Sequence, residues 1–174
     1  MNLYRLDILL RQILPAFFIL FFMILNRVIS EGWGYWEEIS PWIVLMCVWY
    51  WAIFRPSLLP VWFIFIVGFL EDFYSYNTPY GTHSVILILS YAILLSQRRV
   101  VAVQNFMVGW LMFAVFSFVA IMLRWAIISL FNTHLFSVKS SIASFMLTVS
   151  FYPLIFILLT FVSYMIAAKD KDAV

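Results

Sequence analysis

Polar residues cut this chain into long apolar runs, from about Ile8 to Ile29, Pro41 to Phe54, Pro56 to Leu70, Thr82 to Ser96, Val100 to Leu130 and Ile142 to Ala168. A helix needs about 20 apolar residues to cross a bilayer. The first, fifth and sixth runs reach that length, whereas the second to fourth need interfacial residues, a tilt or a partial span. The pattern predicts six membrane helices at about residues 8–29, 41–54, 56–72, 82–97, 102–130 and 141–168, in a single transmembrane domain over residues 1–174. Arg55-Pro56 divides the second helix from the third. Proline suits the first turn of a helix, where its missing N–H has no partner to lose, and it disfavours helix at the residue before it. A tight hairpin is therefore expected there. Pro153 falls inside the sixth run, removes one backbone hydrogen bond and is expected to kink that helix.

Composition turns this pattern into a class. The chain is 66% hydrophobic and only 10% charged, with mean hydropathy +1.06. A soluble domain carries roughly a quarter of its residues charged, so an all-α polytopic integral membrane protein is expected. Net charge +2 is explained by membrane orientation and is no nucleic-acid footprint. The single Cys47 excludes an intramolecular disulfide and leaves no cysteine cluster for a metal. The first apolar run lacks a small-residue cleavage site and reads as a retained helix.

Cations set the orientation. With the N-terminus in the cytoplasm, Arg5, Arg11, Arg55, Arg98, Arg99, Lys169 and Lys171 lie inside, Arg27 and Lys139 outside, and Arg124 near the outer end of the fifth helix. Both termini are thus expected in the cytoplasm, with Glu31, Glu37, Glu38, Glu71 and Asp72 facing outward. Trp33, Tyr35, Trp36 and Trp42 then form an outer aromatic belt, and Trp49, Tyr50 and Trp51 approach the inner one.

The stretch GFLEDFYSYNTPYGTHS, residues 68–84, carries the most candidate chemistry. Pro60, Ile64, Gly68 and Asp72 recur at intervals of four and share a helix face. Gly68 allows a neighbouring helix to approach, and Asp72 projects one turn later. In Asn77-Thr78-Pro79-Tyr80-Gly81, proline fixes one φ, Gly81 can take positive φ, and Thr82 is placed to cap the fourth helix. Glu71 points about 100° away from Asp72, toward solvent on the simplest reading. A boundary acid needs a partner, and Arg124 reaches similar depth from the fifth helix at ~1.5 Å per residue. Snorkelling of Arg124 to lipid headgroups is the competing reading.

Catalysis finds little support. His83 and His134 lie in or near outer loops, but no HExxH-type spacing joins them to an acid. No GxSxG turn occurs, and adjacent acids on one helix diverge too far to act as a dyad. Neither a metal nor a cofactor is expected.

The segment FRPSLLPVWFIFIVGFLEDFYSYNTPYGTHSVILILSYAILLSQRR resembles the central signature of the MreD family of rod shape-determining membrane proteins. That pattern is a proline-initiated helix, then Gly-Phe-x-x-Asp, then a loop closing in Pro-x-Gly. Here these are Pro56 and Pro60, Gly68-Phe69 with Asp72, and Pro79 with Gly81. The SQRR end of the fourth helix and Thr148, Tyr152 and Pro153 of the sixth are similar to the alphaproteobacterial branch. Where the family often has Ser-Gly after the Asp, Ser75 is followed by Tyr76. The resemblance implies a non-enzymatic scaffold of the bacterial cell-wall elongation complex, multi-pass in the inner membrane. Its implied partners are the bitopic MreC, the MreB cytoskeleton, RodA and penicillin-binding protein 2. It also implies a fold like the S-components of ECF vitamin transporters, which makes a small-molecule-binding transporter subunit the alternative. An intramembrane hydrolase or ion-coupled transporter using Glu71, Asp72 and Arg124 is a third, weaker reading.

Overall fold

The computed structural model describes the backbone of residues 3–32, 39–75, 78–131 and 137–171, with side chains over 14–28, 39–75, 78–131 and 137–165. The expectations for Trp33, Tyr35, Trp36, Glu37, Glu38, Tyr76, Asn77 and His134, and for the side chain of Glu31, fall outside the described residues. Six α-helices follow in order: α1 (Leu3–Gly32), α2 (Ile43–Phe54), α3 (Val61–Tyr74), α4 (Thr82–Val101), α5 (Phe106–Phe131) and α6 (Val138–Lys171). Over the described residues no strand occurs. Thr82–Val101, Phe106–Phe131 and Val138–Met165 are each long and apolar enough to cross a membrane. The chain is an all-α membrane protein.

α2 is the core. Its sequence IVLMCVWYWAIF is apolar on every side, and every residue from Val44 to Ile53 is buried. A helix that is apolar all round has no face for water and belongs in the interior. Its 12 residues rise only about 18 Å, less than a bilayer, and α1, α4 and α6 enclose it. Trp49, assigned above to the inner belt, instead packs within the core on Phe113 and Phe116 of α5. Phe113 in turn stacks on Tyr152 of α6, with centroids 4.1 Å apart.

The break between α2 and α3 falls at Arg55-Pro56 as expected, but the connection is longer than a tight turn. Pro56–Leu58 forms a single 3-10 turn, and α3 starts only at Val61 with Pro60 as its N-cap. A second proline explains the delay. Pro60 drives Leu59 to φ −121 ψ 89, outside the helical region, as a residue before proline prefers. α3 then packs chiefly against α4, which also contacts α2 and α5. At this end, the Tyr91 hydroxyl of α4 donates to the Leu59 carbonyl at 2.7 Å.

α6 runs continuously through Pro153. A proline cannot donate to the carbonyl four residues earlier, here Val149. That carbonyl accepts instead from the Trp110 indole Nε1–H of α5 at 3.0 Å. One side chain thus replaces the missing backbone donor and ties α5 to α6.

Candidate functional site

Asp72 sits in the last turn of α3 and is 1% exposed. Its carboxylate lies on the N-terminus of α4. Oδ2 accepts from the Gly81 N–H at 2.9 Å, and Oδ1 from the His83 N–H at 2.9 Å and His83 Nδ1 at 2.8 Å. The Ser84 N–H and hydroxyl lie farther from Oδ2, at 3.4 and 3.5 Å. The first amides of a helix have no intrahelical acceptor, and together they present a partial positive charge. An aspartate usually answers this from the N-cap position of the same helix. Here the acid comes from α3, so the cap is also an interhelical bond.

The local sequence makes room for that reach. Gly81 is the N-cap of α4 at φ 95 ψ −9, a left-handed conformation that favours glycine. This turn aims the Gly81 N–H at Asp72. Thr82, expected to cap α4, turns its hydroxyl back to donate to the Pro79 carbonyl at 2.8 Å. The Thr82 N–H goes to the same oxygen at 3.2 Å. Thr82 therefore closes the Pro79–Gly81 turn, and the capping falls to Asp72.

Gly68 lies one turn before Asp72 and meets the same target. A Cβ there would stand 2.5 Å from Ser84 Cα and 2.7 Å from Ser84 N. The two backbones touch, as a small residue at a membrane helix crossing permits. Phe69 is exposed on the outer face, stacked along Phe65. Pro60 is exposed at the helix start, while Ile64 shares the buried face of Gly68 and Asp72.

Beside this latch, all six helices come together around Pro41 and Trp42. Just ahead of α2, Trp42 is 5% exposed. Its backbone N–H donates to Thr148 Oγ1 of α6 at 3.0 Å, and its indole Nε1–H donates to Glu71 Oε2 of α3 at 3.0 Å. Its ring stands edge-on to His83 of α4, and the Arg124 guanidinium of α5 lies 5.4 Å from the ring centroid. From α1, Asn26 Nδ2 donates to the carbonyl of neighbouring Pro41 at 3.2 Å. Trp42 is thus a core residue and not a member of an interfacial belt. Sequence reasoning missed it because an indole near a helix start looks the same in either role.

Two further expectations change. Glu71 is not simply solvated, since it is half-buried and holds the Trp42 indole. The pairing of Asp72 with Arg124, expected from equal depth, gives way to the α4 N-terminus, while Arg124 lies over the Trp42 ring whose indole Glu71 holds. The physical reason is that the α4 amides and His83 already fill the Asp72 carboxylate.

Asp72, His83 and Ser84 have the residue types of a hydrolytic triad but not its connectivity. A nucleophilic serine must face the far nitrogen of the histidine. Here the Ser84 hydroxyl lies against Asp72 and the Phe65 carbonyl, and all three residues are buried. The arrangement holds helices together. Among the described residues, no three of His, Cys, Asp and Glu gather as metal ligands.

No curated protein and no solved structure matches the chain. The family described as rod shape-determining protein MreD matches residues 7–162, which include every residue of the latch and of the Trp42 junction. The chain, a bacterial membrane protein, belongs to the MreD family of rod shape-determining proteins.

Proposed function

We propose that this protein is a non-enzymatic scaffold of the cell-wall elongation complex in the bacterial inner membrane. In this reading both termini are cytoplasmic. The protein binds an MreC-like bitopic partner and connects the MreB cytoskeleton to RodA and penicillin-binding protein 2. The observation that carries the proposal is how the signature is used. Gly68, Asp72 and Gly81 are all engaged in holding α3 and the outer loop on α4. A signature used for internal assembly favours a framework over a reaction centre. The apolar faces that remain exposed on α3, α5 and α6 supply surfaces for lipid and partner helices.

Coexpression with an MreC-like protein and extraction in mild detergent tests the proposal. A stable complex of the two is expected. Isolation of the chain with a bound vitamin and no such partner would favour the transporter-subunit reading instead. Reporter fusions at Lys171 and Glu37 test the orientation and should read inside and outside respectively.

A further inference from the structure

The end of the molecule opposite the Asp72 latch carries Arg55, half-buried at the C-cap of α2, with half-buried Arg98 and exposed Arg99 in the last turn of α4. Tyr91 gathers them. Its hydroxyl lies 3.3 Å from the Pro56 carbonyl and 2.7 Å from that of Leu59, so the turn following Arg55 is fixed to α4. Arg98 is seven residues beyond Tyr91 on the same face of α4, about 10 Å farther along the helix.

Helix C-termini explain part of this charge, but not all of it. Each contributes about half a negative elementary charge, so those of α2 and α4 offset roughly one of three guanidiniums. The acids with described side chains are Glu71 and Asp72, at the other end of the 14-residue α3. That is about 20 Å away, beyond a Debye length of about 8 Å. Toward the membrane interior from these cations the surface turns apolar, with Trp62 of α3 65% and Ile93 of α4 52% exposed. Cations at the edge of an exposed apolar surface match one chemical class, an anionic lipid.

We propose that Arg55 and Arg98 form a binding site for the phosphate of an anionic phospholipid whose acyl chain lies along α3 and α4 past Trp62 and Ile93. Guanidinium donors match phosphate oxygens in a planar fork, and basic pockets between membrane helices hold such headgroups. The proposal does not depend on the scaffold reading.

Native mass spectrometry of protein purified in equimolar phosphatidylglycerol and phosphatidylcholine tests it. The native chain should retain phosphatidylglycerol several-fold over phosphatidylcholine. Arg55→Gln with Arg98→Gln should lose that preference, while Arg55→Lys with Arg98→Lys should keep most of it. Lys139→Gln, which removes an exposed cation at the start of α6, should change nothing. If the double glutamine variant is not monodisperse, Arg98→Gln alone decides by the same comparison. Equal retention of both lipids by the native chain, or undiminished preference in the glutamine variant, overturns the proposal.

Discussion

Gly68 and Asp72, one turn apart on α3, both end on the first turn of α4, one by backbone contact with Ser84 and the other through the amides of Gly81 and His83. The two residues work as a pair. Without close approach the carboxylate would not reach the amides, and without the carboxylate the buried amides would lack an acceptor. Their spacing of four is the one that puts both on a single helix face.

Gly68→Ala should be strongly destabilising, because the new Cβ meets backbone, which cannot swing aside as a side-chain tip can. Overpacking of this kind costs about 1–3 kcal/mol. Gly109→Ala is the control, since a Cβ there meets nothing within 4 Å, and alanine in a helix should be neutral or up to about 1 kcal/mol favourable. Thermal unfolding in detergent, followed by fluorescence-detected size exclusion, should separate the two.

Asp72→Ala should lower stability by about 2–4 kcal/mol, combining a lost cap with buried donors left unpaired. Asp72→Asn should fall between, because one oxygen still accepts while the amide group opposes the donors. Exchanging charges in Asp72→Arg with Arg124→Asp should rescue nothing, since a cation at position 72 would face a helix N-terminus. Recovery of folded yield in that double variant would show that Arg124 is the real partner.

Trp42→Phe keeps a ring beside His83 and Arg124 but removes the donor to Glu71. A half-buried carboxylate left without its partner should cost about 1–3 kcal/mol, and Glu71→Gln, which retains an acceptor, should cost less. Trp42→Ala also removes the packing, and about 3–5 kcal/mol is expected. Urea or thermal unfolding of the three variants gives this order directly.

Trp110 and Pro153 should be coupled. Trp110→Phe orphans the Val149 carbonyl, at a cost of about 1–3 kcal/mol in the native background. In Pro153→Ala the backbone can supply its own donor to Val149, so the same substitution should then cost clearly less. A double-mutant cycle measures this coupling, and additive effects would contradict it.

Much of this was legible in the sequence, and the parts that were not share a cause. The polar and proline breaks between apolar runs predicted six helices, although α2 and α3 fall short of the length that a bilayer sets, and intervals of four placed Gly68 with Asp72. Depth was also sound reasoning for Asp72, but it gives height along the membrane normal and not direction around the helix. Arg124 and the start of α4 lie at similar heights, and only one of the two carries a formal charge that a sequence displays. A helix N-terminus attracts a carboxylate through its amides, which no residue letter marks. Trp42 stayed hidden for a related reason, since its neighbours come from four other helices at separations up to 106 residues. Pro60 was visible as part of a motif, but its power to delay α3 depends on Pro56 having already begun a 3-10 turn.

The central claim is that the Asp72 carboxylate caps α4 from α3. Amide hydrogen exchange over residues 81–84, compared between the native protein and Asp72→Ala under conditions where both stay folded, tests it most directly. The account predicts that the Gly81, His83 and Ser84 amides lose protection in the variant while the middle of α4, around Leu87 to Tyr91, keeps it. Unchanged protection at Gly81 and His83 in a folded Asp72→Ala protein would contradict it.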